Sequence, residues 1–275
     1  MLTVLTGLLT SLSYATSDLM SQRVTRATGA VTQIVWVLAT GVIIIVPAAL
    51  LVRGLPEGDE WRGAGLAALA GAIYFFALFC LLRGLHVGDL GLISALTSLQ
   101  GAYVAAAVVA LGEPITPLLG VALGLCAFGA VLTSFEGRAR STRGAPWALA
   151  AGLLFAAVML CYAYGDIDWL SQTAISRTVS LLVALPAALL NGGVAVPRVL
   201  RPWAVGAGVL EVSGLTLLTI TFALGPAAVA GVTTTQFGTF AVILGFVLLH
   251  ERPKPNQWVG IVATVAGVSL LAAVA

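Results

Sequence analysis

Long apolar runs, each broken by a short polar or charged patch, dominate the chain from end to end. Ten such runs stand out, over 2–20, 31–52, 64–82, 90–111, 118–135, 147–164, 171–191, 203–223, 227–249 and 258–275. A helix needs about 20 predominantly apolar residues to cross a bilayer. A barrel strand needs only about ten, in strict alternation, and these runs do not alternate. In lipid every backbone polar group must be paired internally, so the pattern predicts ten transmembrane helices. Trp61, Trp147, Trp169, Trp203 and Trp258 fall at or beside predicted helix starts, where an amphipathic ring favours the membrane interface. Trp36 is the exception, inside a run. The first run has no basic flank and no small-residue cleavage site, so it reads as a retained helix and not as a signal peptide.

Composition agrees and excludes much else. The 275 residues are 60% hydrophobic and 9% charged, far below the quarter of charged residues in an average soluble domain. Thirteen Lys and Arg against eleven Asp and Glu is too even a balance for nucleic-acid binding, so no nucleic-acid partner is expected. Cys80, Cys126 and Cys161 each lie in an apolar run, where a thiol acts as a small hydrophobe. The sequence holds no Walker loop, dinucleotide fingerprint or metal-ligand spacing around His86 and His250. Neither cofactor, metal nor enzymatic activity is therefore expected.

The chain also repeats itself. Pro47-Ala48-Ala49-Leu50-Leu51 returns as Pro186-Ala187-Ala188-Leu189-Leu190 at an offset of 139, which also places Gln33 on Gln172. At an offset of 137, Gly88, Gly101 and Tyr103 fall on Gly225, Gly238 and Phe240. At 138, Glu113, Pro117 and Gly129 fall on Glu251, Pro255 and Gly267. Tyr14-Ala15 with Asp18 matches Tyr162-Ala163 with Asp166. These matches predict a first five-helix repeat over 1–140 and a second over 141–275. Five crossings are odd, so the second repeat must be inverted across the membrane. Inverted repeats are the usual construction of secondary transporters, with a solute site near the midplane.

The pattern resembles the drug/metabolite transporter superfamily, specifically its EamA-type ten-helix members. The fourth predicted helix ends "ALGEPITP" and the ninth "LLHERPKP"; each acidic residue is followed sixteen positions on by a glycine, Gly129 or Gly267. The connections "LRGLHVGDLGLISAL" and "TFALGPAAVAGV" are similar to the family's small-residue hairpins, and Arg177 lies near the start of the second helix of its half, where the first half has Leu38. The resemblance implies a ten-helix transporter in a bacterial plasma (inner) membrane that moves small metabolites, amino acids or drugs by proton coupling or exchange. It also implies both termini in the cytoplasm. Loop charge says the opposite: the odd connections hold ten Lys and Arg, the even ones only Arg53 and Arg62, which puts both termini outside.

Candidate chemistry is sparse because charge is sparse. Glu211, in "GVLEVSGLT", is read as the only carboxylate well inside a span. An ionisable group there is a default functional candidate, as a proton-coupling site or counter-ion to a substrate amine. The alternative is a structural ion pair with Arg177, across an axial gap of about 10 Å at 1.5 Å per residue. Polar and aromatic side chains recur at matched levels: Tyr74 with Glu211, Thr97 and Ser98 with Thr234 and Thr235, Tyr103 with Phe240, Gln33 with Gln172, and Tyr14 with Tyr162. As a set they suggest a cavity for a small polar solute; singly, each reads as interhelical packing. Glu113 and Glu251 read as helix-exit residues, and Asp166 and Asp168 as a solvated connection. Glycine faces (Gly120 with Gly124, Gly260 with Gly267) could pack the halves together or support a homodimer. The leading expectation is a secondary transporter exporting a small-molecule substrate, with the lipid bilayer as its other partner. A lipid-head-group flippase and a non-transporting structural membrane protein are the alternatives.

Overall fold

The computed structural model describes residues 1–54, 56, 58, 60–87, 93, 96–112, 114–134, 143–190, 193–249 and 254–274. Among the described residues all regular structure is helical, with no strand. In chain order the helices are α1 (Leu2–Thr28), α2 (Ala30–Val52), α3 (Glu60–Val87), α4 (Gln100–Ala110), α5 (Pro117–Ser134), α6 (Ala145–Ala163), α7 (Trp169–Leu190), α8 (Arg201–Leu224), α9 (Ala227–Thr233), α10 (Phe237–Leu249) and α11 (Pro255–Val274). A 3₁₀ turn, Arg198–Leu200, leads into α8. Seven stretches are long and apolar enough to cross a membrane: Ala30–Val52, Glu60–Leu81, Ala145–Ala163, Trp169–Leu190, Arg198–Leu224, Ala227–Leu244 and Pro255–Ala273. Gln100–Ala110 and Pro117–Thr133 are apolar but shorter. The chain is thus an all-helical integral membrane protein.

Three expectations about the runs need correction. The first helix does not stop at residue 20 but continues to Thr28, carrying Asp18, Arg23 and Arg26 within it. Gly29 alone joins α1 to α2, at φ 87°, a left-handed backbone that glycine adopts without a Cβ clash. The stretch 227–249 is not one helix: it breaks at Thr234–Gln236 between α9 and α10. The fourth run is interrupted likewise at Ser98 and Leu99, just before α4. The two breaks lie at positions matched by the repeat offset of 137. Glu113 and Glu251 lie outside the described residues, as does most of the connection over 88–95.

Helix packing follows the repeat. Helix α1 packs on α8 and its counterpart α6 on α3; α3 packs on α7 and α8 on α2. Equivalent helices also pack on each other, α2 on α7 and α5 on α11, while α4 packs on α9, the short helix just before its own counterpart α10. The α5–α11 pair is the closest of these. A Cβ on Gly129 would sit 2.7 Å from the Gly260 carbonyl oxygen and 2.3 Å from Thr264 Oγ1. A Cβ on Gly267 would sit 2.9 Å from the Ala122 carbonyl and 2.7 Å from Cys126 Sγ. Adding 138 to Ala122, Cys126 and Gly129 gives 260, 264 and 267, so the two sets of contacts are the same set seen from opposite sides. Early residues of one helix meet late residues of the other, so α5 and α11 run antiparallel. Glycines let the two backbones close to this distance, where dispersion is the main source of attraction in lipid.

Candidate functional site

Arg177 lies two turns into α7 and is fully buried, and Glu211, midway along α8, is 6% exposed. Arg177 Nη2 stands 2.6 Å from Glu211 Oε2, so the two long side chains span the axial gap. Tyr74 of α3 donates its hydroxyl to Glu211 Oε1, and the Arg177 guanidinium carbon lies 5.1 Å from the Tyr74 ring centre, a cation–π distance. Phe155 of α6 packs edge-on against Tyr74 at 5.7 Å. Room for the guanidinium comes from Gly41 of α2, where a Cβ would approach Arg177 Cδ to 3.0 Å. A tyrosine, an arginine and a glutamate from three helices therefore converge at the contact between the halves.

Tyr74 and Glu211 are equivalent positions in the repeat, and they bond directly to each other. Leu38, the counterpart of Arg177, is fully buried in the apolar core. Both charges of the pair thus come from the second half.

A buried ion pair is costly unless its remaining hydrogen-bonding capacity is met. Here it is not: among the described residues, Arg177 Nε and Nη1 are buried without an acceptor. Arg177 carries five N–H donors in a fixed fork suited to carboxylate or phosphate, and Glu211 uses only part of it. The remaining surroundings are phenolic. Tyr14 of α1 lies against Gly214 of α8, within electrostatic reach of Arg177 and Glu211. Tyr162 of α6 shares a 2.5 Å hydrogen bond with Ser176 and is also within electrostatic reach of Arg177.

Glu211 is not the only carboxylate inside a helix. Asp18 lies in the body of α1, one turn after Tyr14, with an exposed side chain that electrostatically senses Glu211. Ending the first predicted helix near its first charge hid this residue. Its signal was available in the Tyr14–Asp18 spacing, which places both on one helix face. Ser17 beside it donates to the Ala207 carbonyl at 2.9 Å and fixes α1 against the Glu211 face of α8.

The other candidates divide differently. Gln33 donates to Ser21 Oγ at 3.0 Å and Gln172 to the Tyr162 carbonyl at 3.1 Å, so each ties one helical hairpin together. Thr97, Thr234 and Thr235 turn their hydroxyls onto the carbonyls of Ile93, Ala230 and Val232, serving the helix breaks; Ser98 is buried beside them. The breaks meet at Gly101, where a Cβ would lie 2.5 Å from Thr235 Oγ1. Gln236, unanticipated, is fully buried at the second break and donates to the Val232 carbonyl at 2.9 Å. Tyr103 and Phe240 are half-buried, the Tyr103 ring edge against Gly152; neither joins the hydrogen bonds of the Arg177–Glu211 cluster.

Asp168 has a structural task. Its Oδ1 accepts from the Leu170 and Ser171 amides at 3.0 and 3.1 Å, capping α7, and its Oδ2 lies 3.2 Å from Arg53 Nε. Burial pushes its pKa up, but the Ser171 hydrogen bonds and the Arg53 charge outweigh this and hold the carboxyl below its usual range. Among the described residues no group of three or more His, Cys, Asp or Glu gathers to hold a metal.

Comparison with known proteins gives a consistent picture. A model of the EamA-like transporter family matches the chain twice, over residues 1–135 and 142–273. Among 29 solved chains that match, one titled only "Crystal structure of protein" superposes with a TM-score of 0.80 at 17% identity, over 99% of this chain and 99% of its own. At that identity the likeness shows the fold alone. A comparison with curated proteins finds no match.

Proposed function

The chain belongs to the EamA-like transporter family, and from that premise we propose that it is a secondary active transporter exporting a small metabolite, amino acid or drug-like solute. It would work by alternating access, coupled to protons, from a bacterial plasma membrane. The architecture proposed with it is ten crossings in two inverted five-helix repeats, 1–140 and 141–275. The double family match and the antiparallel packing of α5 on α11 support this arrangement, because helices of equivalent rank run oppositely only if the halves are inverted. The interrupted fourth and ninth crossings support it too, since broken helices are a recurring device of transporter sites.

The observation that carries the reading is the Arg177–Glu211–Tyr74 cluster, buried between the halves with guanidinium donors to spare. An ionised Glu211 holds Arg177 and Tyr74 on itself. Protonation would remove the charge that holds the guanidinium and release it to a solute acceptor, so proton and solute would compete for one set of donors. Asp18, with its side chain exposed on α1, is the candidate to pass the proton. Tyr14, Tyr162 and the polar groups at the helix breaks are the further candidate contacts.

The test is a solute panel on reconstituted vesicles, with and without an imposed ΔpH, repeated for Glu211→Gln. The proposal expects at least one solute to move faster with the gradient in the parent protein and to lose that dependence in the variant. Gradient-driven movement unchanged in Glu211→Gln would remove the assignment.

A further inference from the structure

A second feature lies away from the central pair, on the outer surface between α2 and α8. There a groove of about 440 Å³ is walled by Val35, Trp36, Ala39 and Ile43 of α2 and by Val205 and Val209 of α8, with Val194 at one end. Its surface is almost wholly apolar and its rims are open: Ile43 is 72% exposed and Val209 40%. From Val35 to Ile44 the groove follows α2 for about 14 Å at 1.5 Å per residue. That is about half of a hydrocarbon core roughly 30 Å thick, the depth of one leaflet.

The Trp36 end of the groove is built differently. Val24, Val196 and Ala204 form a small core there, with Trp36, Leu200 and Trp203 packed against it. Trp36 donates its indole N–H to the Val194 carbonyl at 2.7 Å, so the ring sits at the level of the connection although its residue lies within an apolar run. Arg23 lies 4.1 Å over the Trp203 ring. Arg198 lies in the 3₁₀ turn before α8 and Arg201 begins α8, its Nε donating to the Val196 carbonyl at 3.2 Å. All three arginines are exposed, and among the described residues none is ion-paired with a carboxylate.

We infer that this groove is a binding site for one anionic phospholipid, with an acyl chain along α2 and α8 and the phosphate on Arg23, Arg198 and Arg201. Charge complementarity selects this occupant. An apolar channel one leaflet deep suits any acyl chain, but three uncompensated guanidinium groups beside two indoles at its mouth favour a net-negative headgroup. Basic pockets between membrane helices bind anionic lipid heads in this way, and guanidinium matches phosphate in a bidentate fashion. The inference requires only that the chain sits in a bilayer, and it stands or falls independently of the solute proposed above.

The experiment measures the melting temperature of the full-length protein in mild detergent. The additives are phosphatidylglycerol, phosphatidylcholine with the same chains, and glycerol phosphate alone. The site predicts a rise of several degrees with phosphatidylglycerol and a much smaller one with phosphatidylcholine. Glycerol phosphate should do nothing, because it lacks the acyl anchor. Arg23→Gln with Arg198→Gln, both on exposed side chains, should abolish the difference between the lipids when each melt is referred to the variant's own lipid-free value, which absorbs the lost Arg23–Trp203 contact. Ile43→Trp, which fills the groove and spares the arginines, should weaken the phosphatidylglycerol effect on its own. Equal stabilisation by the two lipids, or a phosphatidylglycerol effect that survives both variants, would overturn the site.

Discussion

The two halves of the chain share a frame and differ in charge. Where the second half has Arg177 the first has Leu38, buried in the core; where the second has Glu211 the first has Tyr74. The α5–α11 contact repeats residue for residue at an offset of 138, whereas the site matches in position and not in chemistry. A duplicated scaffold brings equivalent positions face to face, so Tyr74 meets Glu211. Had both halves kept a glutamate there, two carboxylates would share one dry site, and a like charge disfavours ionisation. Divergence at two positions turns a symmetric packing surface into an ion pair with a hydroxyl donor.

The largest effect expected from this comparison is on transport. Glu211→Gln keeps size and shape but cannot ionise, and ΔpH-driven flux in vesicles should fall by about 100-fold or more, the scale on which positioned acid–base groups act. Leu38→Ala, at the matched position for Arg177, should destabilise by about 2–5 kcal/mol through its cavity and leave the dependence on ΔpH intact. A flux in Leu38→Ala that lost its gradient dependence would break the contrast between the halves.

Stability comes next. Arg177→Leu installs the first-half residue and leaves Glu211 buried without its cation, a loss of about 3–5 kcal/mol. Adding Glu211→Gln removes the stranded charge and should recover most of that in a denaturant or thermal melt, with transport still absent. If the double variant is no more stable than Arg177→Leu, the pair is not the coupled unit described. Tyr74→Phe deletes one hydrogen bond to a carboxylate and should cost about 1.5–3 kcal/mol.

The frame was largely readable before the structure. Apolar runs located the helices, and the offsets that matched Gly129 to Gly267 correspond to a real contact, because small residues are required wherever two backbones approach. Tyr74 and Glu211 align at an offset of 137, but nothing in the sequence says that the two side chains touch. The helix breaks at Ser98–Leu99 and Thr234–Gln236 were not legible. They contain neither proline nor glycine, and their hydroxyls and the Gln236 amide restore lost backbone pairing in a way that composition does not announce. Gln33 and Gln172 occupy positions matched by the repeat, yet their hydrogen-bond partners lie on the preceding helices, and that direction depends on how tightly each hairpin turns. Asp18 is not legible from the apolar pattern, because a charge ends an apolar run even where the helix continues.

Two smaller effects sharpen the picture of the shared frame. Gly129→Ala and Gly267→Ala each force a methyl against the facing helix, and each should cost about 1–3 kcal/mol. Because the contacts are equivalent, the two losses should agree closely; a loss confined to one would show that the symmetry is not energetic. Asp168→Ala removes the cap of α7 and should cost about 1 kcal/mol at neutral pH. The Asp168 carboxyl is held below its unfolded value of 3.8, so its contribution is present above that pH and is lost as pH falls further through the folded value. Melts of parent and variant should therefore converge at the acid end of a pH series.

The central claim is that Glu211 exchanges a proton while Arg177 takes the solute. It is tested most directly by loading reconstituted vesicles with a pH-sensitive dye and adding, at zero initial gradient, a solute identified by the panel. The account predicts proton movement that starts with the solute, in fixed ratio to its flux, and that is absent in Glu211→Gln at equal protein density. Solute flux without any proton movement in the parent protein, or proton movement of undiminished size in the variant, would contradict it.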